Sequence, residues 1–234
     1  MFGSIHVRTI KPSRRPTMSA KILGIDPGSR ATGVAILEES NGALVASLVD
    51  VIRTDSLEHH PDRLQAIFEQ VSGIIKEFQP TACAIETPVY GVDPLAMLKL
   101  GRAQAASMLA VTNEGLDISE YYPKAVKKAI VGNGNASKQQ VAFMLQKLVR
   151  LPEQNLTLKN LPMDATDALA IAFCHHTHLM RAVISRAGAN DRVEEVNPNN
   201  LMLLSQKKYH QNNRVNNWTA FVRNNPDRVR SGED

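Results

Sequence analysis

Lys21-Ile22-Leu23-Gly24-Ile25-Asp26-Pro27-Gly28-Ser29-Arg30 is the stretch whose reading decides the fold. Ile22, Leu23 and Ile25 form a short apolar run with the length and branching of a buried strand, and Pro27-Gly28 stops it at once. Asp26 therefore falls at the rim of an apolar core, beside a turn that leaves room for a ligand. A carboxylate in that position is costly unless a metal, a cation or hydrogen-bond donors compensate it. An acid that caps its own turn is the alternative. Acids farther along the chain decide between the two.

Downstream, Gly33 to Glu39 reads as a second strand and Ala43 to Arg53 as a third, joined through Asn41-Gly42, the dipeptide that suits a tight hairpin. Leu64, Ile67, Phe68, Val71, Ile74, Ile75 and Phe78 recur at helical spacing and predict a helix over 58–78. Thr81 to Glu86 is a fourth strand, again ending on an acid and broken by Thr87-Pro88. Asp93-Pro94 starts a helix with an Asx cap and proline in its first position, running to about Asn113. Leu116 to Tyr121 is a fifth strand, and Pro123 opens a short basic helix. A loop comes next at Gly132–Asn135, and Ser137 with Gln140 forms a capping box for a helix reaching about Arg150. Leu151 to Leu161 reads as a linker, and Pro162 begins a last helix to about Met180. Three antiparallel strands followed by helix-strand-helix-strand-helices give an α/β fold, a mixed five-stranded sheet flanked by helices.

The second acidic pair lies in Met163-Asp164-Ala165-Thr166-Asp167-Ala168. Spacing of three places both carboxylates on one helix face, about one turn apart. Acids in a first helical turn complement the helix dipole, which is the plain account of them. Yet Ala165, Ala168, Leu169, Ala170, Ile171 and Ala172 make this helix apolar nearly all round, so it should be buried, and two like charges on a buried helix repel unless a cation sits between them. With Asp26 and Glu86 at the ends of two strands of one sheet, and this helix packed on the sheet, four carboxylates converge. Hard oxygen ligands select Mg²⁺, with Mn²⁺ able to substitute. Two such ions can clamp the attacking and leaving oxygens of a phosphodiester in line.

Charge points the same way. The 234 residues carry a net charge of +4 and a hydrophobic content of 43%, ordinary for a globular protein. From Pro123 to Arg150, however, six bases (Lys124, Lys127, Lys128, Lys138, Lys147, Arg150) occur without an acid. A solvated helix face usually mixes both signs, so this field predicts a nucleic-acid partner. Lysines holding the backbone beside a metal-filled acidic pocket are what nucleic-acid hydrolysis requires. No run has the ~18 apolar residues of a membrane helix. Residues 1–19, basic through Arg8, Lys11, Arg14 and Arg15, lack the apolar block of a secretory signal and are expected to be a disordered leader, with Met18 as an alternative start. Two cysteines, Cys83 and Cys174, sit in apolar patterns and predict buried thiols in a reduced, cytoplasmic protein. From Arg181 to Asp234 the composition turns polar and basic, which predicts an extension without a core of its own.

The motifs together resemble one family. Ile22 to Arg30, the Ala84-Ile85-Glu86 strand end, Leu98-Lys99-Leu100-Gly101, Val131-Gly132-Asn133-Gly134 with Ser137-Lys138, and Asp164 to Ala172 all look like the bacterial RuvC Holliday-junction resolvases, in order and at family spacing over about Ala20 to Met180. The resemblance implies a ribonuclease H-like fold, a homodimer formed through the helix containing Leu98 to Ala110, and Mg²⁺-dependent paired nicking of four-way DNA junctions in recombination and repair. It implies Asp26, Glu86, Asp164 and Asp167 as catalytic and metal-binding acids, with two ions per site. It places Lys127 and Lys138, with Lys128 in the same basic helix, beside the cut strand. A RuvAB-type branch-migration complex is the implied functional partner. The family pattern has a base-stacking aromatic three residues after the strand-end glutamate; here that position is Val89, so Tyr90 is the candidate.

Rival readings exist. Cys174, His175, His176 and His178 suggest zinc, but no second ligand pair completes four-coordination; helix-end histidines near the C-terminal dipole, or a histidine reaching the metal pocket, are the alternatives. Gly132 and Gly134 lack the pattern of a phosphate-binding loop. A small-molecule kinase of the actin-like fold would share the opening Asp-x-Gly strand but needs a second lobe that some 160 core residues cannot supply. A junction-binding protein without catalysis is the remaining alternative, and four intact acids argue against it.

Overall fold

The structure is a computed structural model. It describes residues 20–89, 93–152, 158 and 160–187, the side chains of 184–187 excepted. The basic leader at 1–19, Tyr90 and nearly all of the 181–234 extension lie outside the described residues. The sheet and the four acids lie within the unit Met1–Ser185.

The chain forms β1 (Ile22–Asp26), β2 (Ala31–Ser40), β3 (Ala43–Arg53), α1 (His60–Phe78), β4 (Ala82–Glu86), α2 (Pro94–Asn113), β5 (Ile118–Tyr121), α3 (Pro123–Val131), α4 (Lys138–Leu148), β6 (Val149–Arg150) and α5 (Met163–Ala187). The sheet order is β5-β4-β1-β2-β3-β6. β1, β2 and β3 are antiparallel, whereas β4 runs parallel to β1, β5 parallel to β4 and β6 parallel to β3. The hairpin between β2 and β3 turns on Asn41 and Gly42, both at positive φ (52° and 75°), as its dipeptide predicts.

Among the described residues the sheet has six strands, not the five expected. Val149 and Arg150, read from sequence as the last residues of α4, leave the helix and pair with Leu44 and Val45. A two-residue edge strand carries no periodicity of its own; its partner, about a hundred residues earlier, creates it. α5 likewise runs to Ala187 rather than Met180. Both expected caps are present: Asp93 Oδ1 accepts from the Leu95 and Ala96 N–H groups, and Ser137 and Gln140 close a reciprocal capping box.

Strand alternation sorts the core into two layers. Leu23, Ile25, Val34, Ile36, Cys83 and Ile85 face α1 and α2, packing with Ile67, Val71, Ile75, Ala103 and Ala110. Ile22, Ala35, Leu37 and Ala84 face the other way, onto Ala168 to Cys174 of α5 and onto Val126, Ile130, Val141 and Leu145 of α3 and α4. Leu158, within the expected linker, joins this second layer and is buried. Asp26 and Glu86 share the parity of Ile22, Gly24 and Ala84. Alternation alone therefore puts both strand-end acids on the face that α5 covers.

Candidate active site

Two glycines set how closely α5 approaches the sheet. A methyl group on Gly24 would overlap the Ala168 carbonyl and lie 2.9 Å from the Ala172 Cβ; on Gly33 it would overlap the Asp164 carbonyl and lie 3.1 Å from the Ala165 nitrogen. Hydrogen at both positions lets helix backbone rest directly on strand backbone. Gly33 is also the register partner of Asp26 across β1 and β2. One contact thus brings the start of α5, with Asp164, against the strand pair that carries Asp26.

Glu86 arrives from the other side. Ile25 and Ile85 are parallel partners, and the next residue on each strand is Asp26 and Glu86 respectively. The strand end is held where the Thr87 N–H donates to the Tyr121 carbonyl at 2.9 Å and Gln104 Nε2 donates to the Glu86 carbonyl at 3.3 Å. The turn after Asp26 is held by two fully buried threonines. Thr32 Oγ1 donates to the Gly28 carbonyl (2.8 Å) and accepts from its N–H (3.3 Å), while Thr54 Oγ1 donates to the Ser29 carbonyl (3.0 Å). Asp26 stands on a rigid corner.

The electrostatics show that the four acids share one field. Burial, then the charges of Glu86, Asp167 and Asp164, push the Asp26 carboxyl up to about 8, and only Lys138 opposes them. Burial and Asp167 push Glu86 up to about 7, against Lys138 and Lys127. Lys138, from the first turn of α4, pairs with Asp167 Oδ2 at 2.6 Å. Burial lowers its proton affinity, but the bond to Asp167 and the charges of Asp167, Asp26 and Glu86 outweigh that, and it stays firmly protonated. Against the ammoniums of Lys138 and, at Glu86, Lys127, four clustered carboxyls resist full ionisation unless a further cation joins them.

Among the described residues, no three carboxylates, imidazoles or thiols already stand at ligating distance around one point. The donor set nevertheless fits a hard divalent cation: all oxygen, mutually repelling, and already drawing the Lys138 ammonium. All four acids are half-buried. The grooves of about 570 Å³ (between α3 and α4, around Val131, Gln140 and Phe143) and about 520 Å³ (between β3 and α1) are not lined by these acids.

Of the expected DNA-contacting residues, Lys138 lies in the site and Lys127 acts on Glu86, while Lys128 is exposed on α3. Val89 is exposed, and the Tyr90 reading falls outside the described residues. The histidines serve packing: His175 Nδ1 shares a 2.9 Å hydrogen bond with the Tyr121 hydroxyl, and His178 stacks edge-on against the same ring. Burial, helped by His178 and His176, pushes His175 down to about 4. Cys174 is fully buried, and burial raises its thiol to about 11, so it is an inert core group rather than a ready thiolate. Sequence reasoning missed the Lys138–Asp167 pair, which joins residues 29 apart and has no local signal. It also missed the contact role of Gly24 and Gly33, although an isolated glycine within a strand signals close backbone approach.

A mixed sheet with antiparallel β1–β3, parallel β4 and β5, and acids at the ends of β1 and β4 and the start of the last helix defines a nuclease of the ribonuclease H-like fold. The profile of the crossover junction endodeoxyribonuclease RuvC family matches residues 22–175, and the chain belongs to that family. It is 39% identical to the crossover junction endodeoxyribonuclease RuvC of Salinibacter ruber over 208 residues, covering 89% of this chain and 98% of that protein. It is also 39% identical to the corresponding protein of Porphyromonas gingivalis, over 89% of this chain and 96% of that one. Among solved structures, Thermus thermophilus RuvC in complex with Holliday junction substrate superposes with a TM-score of 0.63 at 27% identity, covering 70% of this chain and 96% of that one. The 208 residues matched in Salinibacter exceed the 175 that end at His175, so this likeness enters the C-terminal segment, past the Met180 limit read from motifs. The chain is accordingly a metal-dependent endodeoxyribonuclease of crossover junctions. No helix among the described residues is long and apolar enough to cross a membrane.

Proposed function

We propose that this chain resolves four-way DNA junctions as a homodimer, making one nick per protomer at a centre formed by Asp26, Glu86, Asp164 and Asp167. These four acids would hold two Mg²⁺ ions, with Mn²⁺ as a substitute. Bound there, the ions supply charge neutralisation at the scissile phosphate and a water acidic enough to attack it. The observation that carries the reading is the mutual field of the acids: Asp26 is pushed to about 8 by burial and by three carboxylates on two other elements. A fold keeps so poor a site for charge when a cation completes it.

The remaining roles come from position. Asp26, on the corner fixed by Thr32 and Thr54, feels Glu86 and both α5 acids and would be a ligand at the centre of the group. Lys138 exchanges its hold on Asp167 for a phosphate oxygen when the strand enters. Lys127 and Lys128 extend the positive surface along α3, and Tyr90 supplies the stacking face. Dimerisation is supported by α2, where Leu95, Leu98 and Leu109 fall on one face and are 69%, 49% and 62% exposed. A RuvAB-type branch-migration complex is the expected partner, and the bacterial cytoplasm the expected compartment.

Labelled four-way junction and linear duplex, each incubated with Mg²⁺ or with EDTA, test the reading. Symmetric nicks on the junction alone, lost in EDTA, support it. Equal cutting of both substrates would discard junction selectivity, and tight binding without cutting in any divalent metal would discard the catalytic centre.

A further inference from the structure

α1 and α2 pack side by side on the face of the sheet away from α5. Both start at the end of the sheet that carries the acids. β3 runs in the direction of β1, and α1 begins seven residues after β3 ends; α2 begins eight residues after Glu86. The first turn of α1 and the second and third turns of α2 bring together two basic pairs at spacing three, His60 and Arg63 on α1 and Lys99 and Arg102 on α2, each on one helix face. Burial and then the positive charges of Arg102, Lys99 and Arg63, in that order, lower the proton affinity of His60, so the four groups share one field.

Among the described residues none of the four enters a salt bridge. Nearby acids are otherwise engaged or apart: Asp93 gives its Oδ1 to the N–H groups of Leu95 and Ala96, and Asp62, in the first turn of α1, pairs with none of them. Arg63 is not a loose surface chain, since its Nε donates to the Leu57 carbonyl at 2.7 Å, which fixes the guanidinium while leaving its terminal nitrogens free to bond elsewhere. The His60 Nε2 is shielded from water and has no hydrogen-bond partner. Three cationic side chains, one of them anchored, gather around a shielded and weakly basic histidine and form a receptor for an oxyanion.

We propose that Arg63, Lys99 and Arg102, backed by His60, form a second phosphate-binding station, which grips the DNA backbone of a junction arm on the side of the sheet opposite the lysines of α3 and α4. This deepens the junction reading and rests on it. An arm leaving the acids over the sheet rim meets either the α3–α4 lysines or this station, so two strands diverging from one crossover are held on both sides. Duplex backbone lacking a crossover can engage only one side at a time. The station would thereby add to junction affinity more than to duplex affinity.

The test is junction affinity against salt, in Ca²⁺ or EDTA so that binding is read without turnover. Arg63→Gln is the deciding variant, because it lies on α1 and away from the exposed leucines of α2. Lys99→Gln and Arg102→Gln accompany it, and Lys76→Gln, whose lysine pairs with Glu114 at the far end of α1, serves as control. Each lost phosphate contact should reduce the slope of log Kd against log salt by about 0.9 and weaken binding roughly three- to tenfold between about 50 and 200 mM NaCl. Lys76→Gln should leave both unchanged, and thermal melts establish that all variants are folded. An Arg63→Gln slope equal to that of the unaltered protein overturns the station. So does a loss confined to the α2 variants and accompanied by dissociation to monomers in sedimentation, which would assign those residues to the dimer. If the unaltered protein itself fails to prefer junction over duplex, the junction reading fails, whatever the slopes.

Discussion

Adding one methyl group at Gly33 tests how the site is assembled. The new Cβ would overlap the Asp164 carbonyl and sit 3.1 Å from the Ala165 nitrogen, both backbone atoms that no rotamer change can move, whereas ordinary contact begins at 3.4 Å. α5 must therefore retreat from β2 by on the order of 1 Å or more. Overpacking of this kind costs about 1–3 kcal/mol, and for a chain of this size that is a fall in Tm of roughly 2–12 °C. The catalytic effect should be larger, because the retreat carries Asp164 and Asp167 away from Asp26 and Glu86. A displacement of about 1 Å at a reacting centre costs on the order of a hundredfold in rate. Single-turnover nicking of a junction at saturating protein, beside thermal melts, measures both. Gly73→Ala in α1, where nothing lies within 4 Å of the new Cβ, should leave nicking unchanged and slightly raise stability. Wild-type nicking by Gly33→Ala would refute the claim that this contact registers the two halves of the site.

Lys138 lowers the proton affinity of both Asp26 and Glu86, so Lys138→Met should shift the acid limb of the pH–rate profile to higher pH, since the acids must be ionised to act; an unmoved limb would show that the lysine does not reach them. In chelator, Asp26 is about 8 in the folded protein against 3.8 in the unfolded chain, so the folded state holds the extra proton. Its stabilising contribution is complete below pH ~4 and is lost as pH rises to about 8, and Asp26→Asn should flatten that fall in urea titrations across the window. Thr32→Val removes a buried hydroxyl with two bonds to Gly28 and should cost about 1–3 kcal/mol in chemical denaturation; no loss would mean that the corner holds itself.

The parts of this architecture written in short stretches of chain are legible in the sequence alone. The β2–β3 hairpin needs only Asn41-Gly42, the α2 and α4 caps need only Asp93 and the Ser137/Gln140 pair, and the placement of Asp26 and Glu86 comes from apolar runs that stop on an acid. Strand parity then puts both acids on one face. What escaped depends on distant partners. Val149-Arg150 becomes a strand only because Leu44 and Val45 offer an edge. Leu158 looks like linker until α5 and the sheet enclose it. The Lys138–Asp167 pair and the His60–Arg63–Lys99–Arg102 station each join helices whose contact no local pattern announces. Gly24 and Gly33 lie between these cases: a glycine inside a strand signals close approach, but α5 as the element that approaches emerges only from the packing.

The most direct measurement of the central claim compares the unaltered protein with Asp26→Asn on one labelled four-way junction, recording binding in Ca²⁺ and nicking in Mg²⁺ on the same preparations. The substitution keeps the side chain's shape and removes the charge at the centre of the acidic field. Junction affinity should hold within about twofold while nicking falls by at least about a hundredfold, because one anionic oxygen donor is lost at the reacting centre. Nicking by Asp26→Asn at the unaltered rate would contradict the assignment of this acid, and with it the four-carboxylate centre built around it.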